Sequence, residues 1–189
     1  MNDVINAIMG RYSCRDFSPA PISAEQLDIL VKAALASPSA VNRQPWHIIA
    51  ITDKALLDEM DGYILESIKQ ENPDWYNRML ERGGKIFYDA PCLILIARDD
   101  SDYAALDSGI VSQNVAIAAH AMGLGNVICG MARSAFSGPR GDEFKKRANI
   151  PDNYVFGISV CVGAAQSGKE PHELDMEKVT YVGNLREPS

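Results

Sequence analysis

A chain of 189 residues, 47% hydrophobic and 23% charged, carries enough apolar material for a core of its own, which excludes a disordered or fibrous class. Its 25 acidic against 18 basic residues leave a formal charge of −7, which excludes a surface built for nucleic acid or an anionic membrane. The four cysteines, Cys14, Cys92, Cys129 and Cys161, lie far apart with no Cys-x-x-Cys pair, so neither a zinc knuckle nor a thiol-exchange site is expected.

Val4, Ile5, Ile8 and Met9 recur at helical spacing and predict a short first helix. Asp3 and Asn6 interrupt that apolar start, so no secretory leader is expected and the protein reads as soluble and cytoplasmic. Ser23 with Gln26 is a capping-box pattern, and Leu27, Leu30, Val31 and Ala34 continue it as a helix that stops before Pro38. His47 to Thr52 reads as a strand. Leu57, Met60, Ile64 and Ile68 mark a third helix running towards Pro73, and the stretch from Asp74 to Tyr88 is mixed, broken at Gly83-Gly84.

Cys92-Leu93-Ile94-Leu95-Ile96-Ala97 is a continuous apolar run, as expected of a strand buried on both faces. Gly109 to Ala132 carries no charged residue, but Gln113, Asn114, His120 and the glycines make it a buried helix, a turn and a strand rather than a membrane span. That helix, about Ala104 to Met122, is apolar nearly all round and should be central or covered by a partner. Strands are expected at Asn126 to Met131, Val155 to Val162 and, briefly, Lys178 to Val182. A short helix is expected at Asp142 to Asn149, where Lys145-Lys146-Arg147 is a solvated face. The tail from Gln166 to Ser189 is poor in apolar residues and either frays or wraps another surface. The mixture of helices and strands, with no repeat or linker, implies one α/β or α+β domain.

Familiar signatures fail on spacing. Gly123-Leu124-Gly125 with Gly130 follows a helix rather than opening one and lacks the dinucleotide spacing, so Gly123 and Gly125 read as a helix cap and turn. His47, His120 and His172 form no metal-ligand set, and no metal is expected. Ser39 has no plausible His-Asp partnership.

Two segments carry chemistry. Arg11-Tyr12-Ser13-Cys14-Arg15-Asp16-Phe17 sets two guanidiniums and a hydroxyl at alternate positions, on one face if extended. Arginine suits both a phosphate and an electron-rich ring edge, because it donates in a fork and keeps its charge. Pro38-Ser39-Ala40-Val41-Asn42-Arg43-Gln44-Pro45-Trp46 is dense in turn formers and amides. Its polar side chains would need partners if clustered before a buried strand.

Together these resemble the FMN-dependent nitroreductase family, with its Arg-x-Ser-x-Arg-x-Phe and Pro-Ser-x-x-Asn-x-Gln-Pro-Trp segments. Asp89-Ala90-Pro91 and the Asp107 to Gly125 stretch extend the resemblance through most of the chain. It implies a nitroreductase-like α+β sandwich over residues 1–189, with a central mixed sheet flanked by helices and a C-terminal extension wrapping the partner subunit. It implies FMN contacts from Arg11, Tyr12 and Ser13 to the phosphate and ribityl chain, and from Arg15 near flavin N1 and O2. Pro38, Ser39, Ala40, Asn42 and Gln44 would come from the other subunit, Ile128, Cys129 and Gly130 would run along the ring, and Lys169 would meet the phosphate. One further polar contact is expected near Gln70. The implied protein is a homodimer with FMN at its interface. It would move hydride from NADH or NADPH through flavin N5 to a nitroaromatic or quinone, by ping-pong, with no protein nucleophile. A flavin-dependent dehalogenase, an oxygen-dependent flavin-processing relative and a non-catalytic flavin-binding module are the alternatives.

Overall fold

The structure, a computed structural model, describes residues 2–183. Helices begin where the sequence supplies side-chain acceptors for free N–H groups. Val4 N donates to Asn2 Oδ1 (2.8 Å) at the head of α1 (Asp3–Gly10). The Ser23–Gln26 capping box closes as expected on α2 (Ala24–Leu35). Strand β1 (Trp46–Ile51) follows, and then α3 (Lys54–Glu71), capped by Asp53.

The mixed stretch after Asp74 resolves into a helix, α4 (Pro73–Glu81). Asn72 accepts from Trp75 N (3.0 Å), Pro73 pre-sets the first turn and Asp74 faces the positive helix end. The remaining elements are β2 (Cys92–Arg98), α5 (Ala104–Ala121), β3 (Gly125–Cys129), α6 (Arg133–Ser137), α7 (Gly141–Arg147) and β4 (Val155–Gly163). The strand expected at Lys178–Val182 does not form. A 3₁₀ turn, Met176–Lys178, stands there instead. Val179, Tyr181 and Val182 are exposed, and no neighbouring strand among the described residues offers them a ladder. The expected tail beyond Gly183 lies outside the described residues.

The sheet order is β1-β2-β4-β3, and every pairing is antiparallel rather than mixed. The reason is topological. The β2–α5–β3 crossover would make a parallel pair, but it leaves room for one strand, and β4 fills that place running the opposite way. Two apolar clusters flank the sheet. Leu93, Leu95, Val127, Cys129 and Cys161 pack with Met60, Ile64, Met79 and Phe144 on one face. Ile94, Ile96, Val160 and Val162 pack with Leu30, Ala34, Val111 and Val115 on the other. β2 is therefore buried on both sides, as its unbroken apolar run requires.

Helix α5 ends in a Schellman turn: Gly123 (φ 75°) donates to His120 O and Leu124 N donates to Ala119 O, each at 2.9 Å. Gly125 belongs to the strand rather than to that turn. A Cβ there would lie 2.8 Å from Cys14 Sγ, so the missing side chain admits the N-terminal segment. Cys14 N donates to Asn126 O (2.8 Å), Ser18 N to Ala164 O (2.8 Å) and Gln166 N to Asp16 O (3.0 Å). Residues 14–18 are thus stitched beside β3 and the end of β4.

Candidate functional site

That stitching brings distant residues together. Tyr12, Ser13, Cys14 and Arg15 share a hollow of about 350 Å³ with Ser167, Gly168 and Lys169. Tyr12 Oη donates to Ser167 O (3.2 Å), tying the two strips to each other. Lys169 therefore stands beside Ser13 and Arg15, although it lies more than 150 positions along the chain. Arg11 caps the end of α1, half-buried, and does not line this hollow.

Arg15 also opens onto a second hollow of about 380 Å³, with Phe17, Lys54, Arg82, Gly83, Lys85, Tyr88 and Asp89. Its guanidinium lies 6.0 Å from the Tyr88 ring centre, and its Nη1 donates to Ser13 O (3.4 Å). Among the described residues it makes no ion pair, so pairing with Asp16 does not account for it. Asp89, by contrast, is shared by Lys54 (3.4 Å) and Lys85 (3.2 Å). The hollow therefore keeps uncompensated positive charge next to an aromatic face.

Its wall is held from beneath. Asp61 is 4% exposed, and its Oδ1 accepts from Ile86 N and Phe87 N, both at 2.8 Å. Burial pushes its carboxyl above the usual range despite those bonds. The following Tyr88 and Asp89 both take left-handed backbone (φ 56° and 58°), a costly pair for non-glycine residues. Asp61 thus fixes a strained turn that carries Lys85 and Tyr88. Sequence reasoning missed this wall. Gln70, near which a contact was expected, instead donates to Glu66 Oε1 (3.2 Å) on an exposed face of α3. The available signal was Gly83-Gly84-Lys85, a break followed by a cation just before the β2 approach.

At the end of β3, Ile128 and Gly130 are exposed while Cys129 turns into the core. The hydrogen bond with Cys129, together with burial, holds the Cys161 thiol well above its usual range. Neither sulfur faces the surface, so what this strand end exposes is backbone and the Ile128 side chain. Burial likewise raises the Cys14 thiol, which disfavours its thiolate. Among the described residues no cluster of three or more His, Cys, Asp or Glu could hold a metal ion.

The Pro38–Gln44 loop lies elsewhere. Gln44 N donates to Ser39 Oγ (2.8 Å) and Gln44 Nε2 to Asn42 Oδ1 (3.0 Å), so these side chains find partners within the loop itself. Pro38, Asn42 and Gln44 are exposed, and Ser39 and Ala40 half-buried. Val41, 96% exposed, is held at φ 48°, rare for a β-branched residue, and Asn42 and Gln44 are also left-handed. Ala40 N donates to Asp107 Oδ1 (3.4 Å) near the start of α5, whereas Tyr12 packs edge-on against His120 at its end. Thirteen residues of helix separate those anchors, roughly 20 Å at 1.5 Å per residue. Asn114 Nδ2 also donates to Ser37 Oγ (2.9 Å), so the loop lies along the first two thirds of α5 and the Tyr12 strip at its end.

Comparison with known proteins decides what kind of scaffold this is. The family model described as the nitroreductase family matches residues 8–164. The chain belongs to the nitroreductase family. A nitroreductase from Desulfitobacterium hafniense, solved with bound FMN, is 43% identical with a TM-score of 0.93, over 97% of this chain and 100% of that one. An NADPH-flavin oxidoreductase from Vibrio harveyi is 29% identical over 177 residues, which are 90% of this chain and 69% of that protein. A Methanothermobacter thermautotrophicus protein, provisionally named NADH dehydrogenase/NAD(P)H nitroreductase, is 33% identical over 134 residues; these span 68% of this chain and 61% of that relative's length. The nitroreductase fold thus accounts for the sheet, for α5 and for the placing of both segments at the surface. No helix among the described residues is long and apolar enough to cross a membrane.

Proposed function

We propose that the chain is one FMN-dependent oxidoreductase domain that takes hydride from NADH or NADPH and delivers it to an electron-poor acceptor, a nitroaromatic or a quinone, by ping-pong. The observation that carries this reading is the donor set around Arg15: a guanidinium with no ion pair among the described residues, the Ser13 hydroxyl and Lys169 on adjoining hollows. Such a set suits a phosphate at one end and an electron-rich ring edge at the other. Bound FMN would supply the redox chemistry, accepting hydride at N5 and passing it on.

The residues divide the remaining tasks. Ser13 and Lys169 hold the phosphate and Tyr12 braces their strip, with Arg11 a weaker candidate for the same role. Arg15 would hold the N1–O2 edge, where its fixed charge would favour the reduced ring. Ile128, Cys129 and Gly130 would offer backbone alongside, and the wall of Lys85 and Tyr88 would close one side of the ring.

Pro38, Ser39, Ala40, Asn42 and Gln44 reach this site from a second copy, since none of them lines either hollow within one chain. Exposed Val4, Ile5, Ile8, Met9 and Leu106, with Leu174, Met176, Tyr181 and Val182 in the tail, supply the apolar surface such a homodimer needs. On this reading the tail wraps the partner. The four unpaired thiols suit a reducing compartment such as the cytoplasm.

The test is an absorption spectrum of purified protein, anaerobic titration with each nucleotide, and turnover with a nitro or quinone acceptor. A bleachable flavin spectrum, steady NAD(P)H oxidation and a dimer in sedimentation are expected. FMN-supplied protein that stays colourless, or that binds flavin without oxidising either nucleotide, overturns the enzyme reading. A monomer holding stoichiometric flavin at micromolar concentration overturns the shared site.

A further inference from the structure

A larger hollow, about 530 Å³, lies behind the β3 end, between the start of β4 and helices α6 and α7. Its floor includes Phe136 and Phe156, stacked with ring centres 5.7 Å apart and planes at 14°. Its polar lining is one-sided: Arg98, Arg133 and Lys145 against Asp142 alone. Nearby carboxylates are engaged elsewhere. Asp99 takes Arg43 (3.6 Å) and Ser101 Oγ (2.6 Å), while Glu59 and Glu143 are held by Arg140 and Arg147. Among the described residues, Arg98 donates to the Asp99 carbonyl (2.8 Å) and to no other group, Lys145 lies 3.8 Å from Asp142, and Arg133 has no ion-pair partner. In a chain of charge −7, three cations over one acid around an aromatic floor form a local anion trap.

Its position gives it a use. Arg133 N donates to Gly130 O (3.1 Å), so the trap begins one turn from the strand end proposed to run along the flavin. Resting on that proposed function, we infer that this hollow receives the 2′-phosphate of NADPH and makes the chain prefer NADPH over NADH. A phosphate monoester carries about −1.5 to −2 charge at neutral pH, which an excess of two cations matches. Its three terminal oxygens can meet Arg98, Arg133 and Lys145 separately, with the stacked phenyl rings as the floor beneath them.

Calorimetric titration of the wild-type protein with adenosine 2′,5′-bisphosphate, ADP and inorganic phosphate tests this without relying on turnover. The bisphosphate should bind at least about tenfold more tightly than ADP, since one charge-assisted contact is worth that much. Arg133→Ala and Lys145→Ala should each weaken it about tenfold while leaving ADP and the thermal midpoint unchanged, and Arg133→Lys should restore part of the loss. In turnover, the same variants should raise KM for NADPH and leave kinetics with NADH unchanged. Equal binding of bisphosphate and ADP, or variants that bind the bisphosphate like the wild type, overturns the assignment. Inorganic phosphate competing as well as the bisphosphate also overturns it, since the trap would then be a free-phosphate site. A wild type that oxidises NADH and NADPH alike but ignores the bisphosphate refutes only this inference. One that binds the bisphosphate through Arg133 but oxidises neither nucleotide refutes the oxidoreductase reading instead.

Discussion

Asp61 offers the sharpest test of how the site is held. Its Oδ1 accepts two 2.8 Å bonds from Ile86 N and Phe87 N, in a place where water cannot replace it. Asp61→Ala leaves both N–H groups buried and unmet, at about 1–3 kcal/mol each. Removing a carboxylate whose burial is itself unfavourable returns part of that, so a net loss of about 2–4 kcal/mol is expected. Asp61→Asn keeps the acceptor and should lose much less. The pH dependence has a definite sign. Burial raises the folded-state pKa, so the folded protein binds the proton more tightly than the unfolded chain does. The contribution of Asp61 to stability is then full below the unfolded value of about 3.9 and is lost as pH rises through the folded value. Urea unfolding of wild type, Asp61→Ala and Asp61→Asn across that window measures both effects. The Asn variant should lack this fall with pH. An Ala variant within about 0.5 kcal/mol of wild type, or an Asn variant as weak as Ala, would refute the reasoning, since surface-like changes stay in that range.

Arg15→Ala should lower the flavin midpoint potential by about 30–65 mV, the equivalent of a charged hydrogen bond of about 1.5–3 kcal/mol in a two-electron couple. An anaerobic redox titration that finds no change removes Arg15 from the ring edge. Lys169→Ala should weaken FMN far more than riboflavin, which lacks the phosphate, and Arg11→Ala should show the smaller version of that difference because Arg11 does not line the hollow. Equal losses for both flavins, read by fluorescence titration, would move these cations off the phosphate. Gly125→Ala places a methyl 2.8 Å from Cys14 Sγ and 3.0 Å from Ala165 Cβ, and should destabilise by about 1–3 kcal/mol, with flavin released earlier than global unfolding. A variant as stable as wild type would mean that residues 14–18 are not packed as described.

Local signals in this sequence proved legible where their physics is local. Ser23 and Gln26 sit three apart and cap α2 whatever surrounds them, and the Cys92–Ala97 run needs only burial on two faces to become β2. The head of α4 was equally local, in Asn72-Pro73-Asp74, but the many polar residues of the helix hid it. The tail failed for the opposite reason. Val179 and Tyr181 alternate as a strand would, yet alternation cannot supply the neighbour a ladder requires. At the site, the Arg15 strip was visible because its donors recur at period two. Lys85 and Tyr88 were not, because an Asp61 some 25 positions away sets their turn. The polar groups of the Pro38 loop show why composition alone is ambiguous, since Ser39, Asn42 and Gln44 also find partners in one another.

The place of β4 between β2 and β3 has a consequence for how the molecule comes into being. During synthesis β1, β2 and β3 emerge first, but β3 cannot join the others until residues 155–163 arrive to bridge them. Two unpaired strand edges stay open until β4 is made, the condition that invites aggregation and recruits chaperones. The residues that follow directly, 164–169, stitch down the N-terminal strip and bring in Lys169. Closing the sheet and completing the ligand hollow are therefore one late event. A nascent chain stopped before β4 would have neither a finished core nor a place to hold a phosphate.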